Sequence, residues 1–156
     1  MSHAYNGLVD TRVIEDMKVG ILLEAEYDLY YIAHIRKDFI ERRGVKDAEE
    51  ANQCTLQIVN ELIQQGFCTL NTWGDEKGTY KNIYLSLKDL KKLIAQYGAP
   101  HANPFDYLLN TTAKGNEWVA RYTKLMSELE DVGEIVDYPF PPLSSKNGFG
   151  KVGTRN

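Results

Sequence analysis

DAEEANQCTLQIVNELIQQ (residues 47–65), running directly into GFCTL (residues 66–70), is the stretch whose reading decides the fold. Ala48, Ala51, Thr55, Ile58, Val59, Leu62 and Ile63 recur with the 3.6-residue period of a helix that buries one face. Asp47 is a residue type that caps the free N–H groups of a first turn. Glu49 and Glu50 complement the positive end of the helix dipole, and Gly66 is a common terminator. The residues that follow predict a hairpin, with strands at Phe67–Trp73 and Thr79–Leu85 around the turn Gly74–Gly78. A helix ended by glycine and entering a hairpin sets the class as α+β. Between Ala48 and Gln65 the charged residues are Glu49, Glu50 and Glu61, with no lysine or arginine.

Toward the C-terminus, Ser86 and Asp89 have the spacing of a helix start and Gly98 with Pro100 supplies the stop, so a helix is predicted over Ser86–Tyr97. An irregular stretch, His101–Pro104, leads to a strand at Phe105–Asn110. Thr112 then caps a helix reaching about Asp131, with Trp118, Val119, Tyr122, Leu125 and Leu129 on its buried side. The segment from Tyr138 (YPFPPLSSKNGFGKVGTRN) is rich in Pro and Gly and reads as either a strap over the domain or a disordered end.

Toward the N-terminus, one helix is predicted from Leu22 to Arg43, stopped at Gly44. Its stripe is Ala25, Leu29, Ile32, Ala33, Phe39 and Ile40, interrupted by Arg36, which reads as a guanidinium snorkelling at the core edge. Tyr27, Tyr30, Tyr31 and His34 fall on the opposite face. Residues 1–20 read as an irregular arm, with a short strand or a turn of helix around Val13 to Met17, 21–137 as a single domain and 138–156 as a tail.

A chain of 156 residues with 43% hydrophobic and 26% charged residues has the composition of an ordinary globular domain. Its net charge of −4 contrasts with the basic surface usual for nucleic-acid binders. Two cysteines are too few for a disulfide framework, which points to a reduced, cytoplasmic setting. Neither a secretory signal nor a membrane-spanning apolar run is read. Ten tyrosines stand out, because tyrosine combines apolar area with a polar tip and suits interfaces.

ELIQQGFCTL, the hairpin, and then LNTTAKGNEWVARY together resemble winged-helix proteins. In many of these a strand ending in Thr-x-x-Gly leads into a closing helix of the form Gly-x-x-Trp-x-x-x-Tyr. Thr112, Gly115, Trp118 and Tyr122 occupy those positions, and the resemblance covers roughly residues 25–122. It implies a winged-helix-like fold, helices around a small antiparallel sheet, with Ser86–Tyr97 inserted as an extra helix in the wing. Size, charge and layout further resemble small bacterial immunity proteins of contact-dependent growth inhibition and other polymorphic toxin systems. One fold hosts many functions, so this step concerns layout alone.

In a winged-helix protein the 47–65 helix would be the one that reads DNA. Gln53, Gln57, Asn60 and Gln64 lie on one outer stripe, and Gln and Asn can pair with adenine edges. Without cations on the same helix, base readout would lack the phosphate contacts that position it. A protein-facing interface and a solvated surface are the other two readings. Lys88, Lys91 and Lys92, with Lys77 and Lys81, are a separate cluster that a DNA-contacting wing would use. The three histidines have no metal-ligand spacing, and Cys54 and Cys68 read as core thiols. No phosphate loop or hydrolase motif occurs. The expectation is a non-enzymatic protein-binding module without cofactor, metal or catalytic residues. Its partner would be a basic toxin domain of nuclease type, occluded at its active site. The contacts expected are Tyr27, Tyr31, His34, Glu49, Glu50, Gln53, Gln57 and Asn60. The alternative is a winged-helix transcriptional regulator that binds DNA as a dimer.

Overall fold

The computed structural model describes residues 11–25 and 29–131, in which five helices surround a four-stranded open antiparallel sheet, an α+β arrangement. In chain order the elements are α1 (Thr11–Ala25), β1 (Tyr30–Tyr31), α2 (Ile32–Glu41), α3 (Ala48–Gln64) and β2 (Cys68–Trp73). β3 (Tyr80–Asn82), α4 (Leu87–Gln96), β4 (Tyr107–Thr111) and α5 (Ala113–Asp131) complete them. The sheet order is β1-β4-β2-β3. Leu109 in β4 pairs with Tyr30 of β1 on one side and Leu70 of β2 on the other, and all three are buried. Against this layer pack Ile21 and Leu22 of α1, Ile32, Ile35 and Phe39 of α2, and Ile58, Val59 and Leu62 of α3.

α3 follows from its sequence. Asp47 accepts a hydrogen bond from the Glu49 N–H at 3.4 Å, and Ala51, Cys54, Thr55, Ile58, Val59 and Leu62 are buried. Ala48, expected on the core face, is exposed because it sits in the first turn, beyond the edge of the packed surface. The chain leaves α3 through Gly66, at φ +80°, a left-handed conformation that glycine adopts without Cβ strain.

α5 is clasped to this corner. The Thr112 hydroxyl donates to the Gly66 carbonyl and accepts from the Gly115 N–H at 3.1 Å, while Lys114 Nζ donates to the Gln65 carbonyl at 2.7 Å. A Cβ on Gly115 would lie 2.3 Å from the Phe67 carbonyl oxygen, so the helix approaches the strand as only glycine permits. Gly115→Ala is expected to lower stability by about 3 kcal/mol, the upper end of overpacking effects, as read from urea denaturation.

The N-terminal half differs from the sequence expectation. Residues 11–20, expected in an arm with at most a turn of helix or short strand near Val13 to Met17, all belong to α1, and the expected single helix Leu22–Arg43 is divided. Tyr30 and Tyr31 leave helical geometry to pair with Leu109 and Leu108, because cross-strand partners reward extended aromatic residues. Tyr30, expected on an outer face, is therefore buried, and burial, reinforced by Asp38 and Glu24, raises the pKa of its hydroxyl.

α1 is fixed to α3 by charge as well as by packing. Lys18, fully buried, donates to Glu15 Oε2 at 3.2 Å and to Glu61 Oε1. Gln57 Nε2 donates to the other Glu61 oxygen at 3.3 Å.

Candidate functional site

The exposed part of α3 is bounded by its neighbours. On one flank Glu61 is held by Lys18 of α1. On the other, α4 packs against both α3 and α2. Ser86 caps α4 by accepting from the Asp89 N–H at 3.1 Å, and Leu90, Leu93 and Ile94 form its buried stripe. Its flank against α3 leaves a narrow gap of about 30 Å³ between Lys91 and Ala95 on one side and Glu49, Asn52, Gln53 and Leu56 on the other. Its far end meets α2 through Arg36, whose Nε donates to Asn52 Oδ1 at 2.6 Å and whose Nη1 reaches the Tyr97 carbonyl at 3.5 Å. One guanidinium thus ties α2, α3 and the C-terminal end of α4, where a cation also complements the helix dipole.

Arg36 is half-buried, as a guanidinium at the core edge should be, and it also joins α4 to α2 and α3. The one trace in the sequence was a charge interrupting an apolar stripe, and Asn52 and Tyr97, its partners, carried no signal of their own. Ser86→Ala is expected to lower stability by about 1 kcal/mol, through loss of the α4 cap, as measured by thermal unfolding.

The residues expected as contacts do not form one patch. Tyr31 lies in β1 with its ring edge-on to Phe105, centroids 5.1 Å apart, and the exposed His34 packs edge-on to Tyr30 at 5.5 Å. Glu49 and Gln53 are exposed beside α4, while Gln57 and Asn60 are half-buried. Glu50 is a correction: it turns under the helix beside Cys54, is 6% exposed, and its Oε2 has no hydrogen-bond partner among the described residues. It cannot meet a partner directly, and reversing its charge would disturb the fold. Tyr27 lies outside the described residues, as do residues 1–10 and the segment 132–156, and the side chain of Leu129 is likewise not described.

An aromatic row was not anticipated. From Tyr31 it continues through Phe105, 56% exposed, to Trp73, whose Nε1 donates to the Phe105 carbonyl at 2.7 Å. Trp73 in turn packs on Tyr80 across the hairpin, centroids 5.1 Å apart. Pairing across β2 and β3 brings these rings together, and no local spacing in the sequence announces it.

Lys77, Lys81, Lys88, Lys91 and Lys92 are all exposed on the hairpin and α4. Cys54 and Cys68 are buried free thiols. Burial, with Glu50 adding, pushes the Cys54 pKa up to about 11, and burial pushes that of Cys68 up to about 12. Both are thus thiols at neutral pH, and thiolates are the reactive form. Because the folded-state pKa values lie above the ordinary 9.0, their stabilising contribution is complete below pH 9.0 and is lost as pH rises toward 11–12. At pH 8 a thiol reagent should label neither cysteine in folded protein and both after unfolding. Labelling at the unfolded rate in native buffer would contradict this.

Among the described residues, no group of three or more His, Cys, Asp or Glu side chains is placed to hold a metal ion, and no helix is long and apolar enough to cross a membrane. Comparison with protein-family models, with curated proteins and with solved structures finds no match.

Proposed function

We propose that this chain is a non-enzymatic protein-binding module on a winged-helix-like scaffold. It acts in the bacterial cytoplasm as an immunity protein that occludes the active site of a basic, nuclease-like toxin domain. The scaffold reading is supported by connectivity. A short strand (β1) separates the first two helices, α2 and α3 form a helix-turn-helix, and β4 returns between β1 and β2. α4, between β3 and β4, is then the insertion in the wing.

The observation that carries the functional reading is the outer strip of α3. It offers Glu49, Gln53, Gln57 and Asn60, and no lysine or arginine occurs anywhere in the helix. α4 occupies one flank of the helix, narrowing what a DNA groove would have to admit. A strip that carries Glu49 and a row of amides, with no cation among them, suits a basic protein surface, where charge complementarity speeds association and selects the partner.

The alternative, duplex DNA binding, is favoured by the exposed lysines of α4 and the hairpin. It requires affinity that falls steeply with salt.

Tagged protein would be captured from its native cells with nuclease present, and what co-purifies identified. One stoichiometric protein is expected, with Glu49→Lys slowing its association roughly tenfold at low salt and leaving thermal stability unchanged. Capture of no protein, together with salt-sensitive binding to duplex DNA, would overturn the proposal.

A further inference from the structure

On the α2 side of α4 lies an open cleft of about 250 Å³. Ala33 and Ile40 of α2 face Ala102 and Pro104 across it, giving apolar walls, and Arg36 lines it between them. Arg36 is not saturated there. A guanidinium has five N–H donors. Of these, Nε is used by Asn52 and Nη1 makes only a 3.5 Å contact to the Tyr97 carbonyl. Nη2 has no hydrogen bond to any described residue, although it lies close enough to Gly98 that a Cβ there would be 3.3 Å away. Tyr97 also lines the cleft, and its buried hydroxyl has no hydrogen-bond partner among the described residues. Arg36 donors are therefore left over beside the cleft.

We infer that this cleft binds a small carboxylate with a compact apolar body, the carboxylate bridging Nη1 and Nη2 of Arg36. Planar, bidentate pairing is what a guanidinium offers an anion of this shape. The volume is below the roughly 300–1,000 Å³ of drug-sized pockets, so the ligand is of fragment size. Lys37 and Glu41 also line the cleft, and with Arg36 they leave one net positive charge, which matches a monoanion better than a phosphate dianion. The site is independent of the α3 strip, but Arg36 links them. A carboxylate on Nη1 and Nη2 competes with the Tyr97 contact at the end of α4 and leaves the Nε bond to Asn52 in place.

The test is an amide NMR titration of the full chain with benzoate, and with benzamide as the uncharged isostere. Benzoate is expected to give saturable shifts around residues 33–41 and 97–104, with a dissociation constant of roughly 1–10 mM and benzamide about tenfold weaker or more. Ala33→Leu and Ala102→Leu narrow the cleft from opposite walls without touching Arg36, and each should weaken benzoate about tenfold. Arg36→Lys keeps the charge but loses the fork, and should weaken it several-fold. No saturation by about 50 mM benzoate, equal binding of benzamide, or shifts indifferent to both wall variants would overturn the inference.

Discussion

Lys18→Ala should lower the stability of the domain by about 3–5 kcal/mol, as expected when one partner of a buried ion pair is removed. Lys18 is fully buried, and its ammonium is shared by Glu15 of the same helix and Glu61 of α3. Without it, Glu15, 2% exposed, is left as a carboxylate with its lysine partner gone. The double variant Lys18→Leu/Glu15→Leu removes the two buried charges and leaves Glu61, whose carboxylate is partly exposed. Its loss should be smaller than the sum of the two single losses, because the two side chains are one energetic unit. Urea unfolding of the four proteins measures this. Additive losses, or a single loss below about 1 kcal/mol, would show that the contact behaves like a surface pair.

Trp118→Ala is expected to lower stability by about 3–5 kcal/mol, the range for deleting a large buried aromatic. The ring is 4% exposed, stacks on Tyr122 with centroids 5.1 Å apart at 16°, and meets Phe67 edge-on at 6.5 Å. It fastens α5 to the strand that leaves α3, where Gly115 and Thr112 make the polar half of the same clasp. Trp118→Phe retains part of the packing and should lose less than half as much. Thermal unfolding distinguishes these cases, and equal effects of the two substitutions would place the energy elsewhere.

What the sequence made legible divides at residue 47. From Asp47 onward, caps, periodicity and turn residues agree with one another, and α3, the hairpin, α4, β4 and α5 fall close to their expected positions. Before it, local signals misled. α1 carries Gly20 in its middle and Glu15 and Lys18 on its buried face, so the apolar stripe is broken by the charges that hold the helix in place. β1 is two residues long and exists only because β4 lies beside it, information that arrives from Leu108 and Leu109, nearly eighty residues away.

The candidate surface was legible in charge and not in geometry. The absence of lysine and arginine from α3 is plain in the sequence. That Glu50 turns inward, and that α4 lies along Glu49 and Gln53, depends on how the helices pack. Helical-wheel reasoning places a residue on a face and says nothing of which neighbour covers it.

Hydrogen exchange of this chain, free and bound to its captured partner, would locate the interface directly. Protection along α3 from Glu49 to Gln64, with the hairpin and the outer turns of α4 unchanged, is the predicted footprint. Protection confined to the Lys77–Lys92 region, with α3 exchanging as in the free protein, would place recognition on the basic insertion and contradict the assignment of the acidic strip.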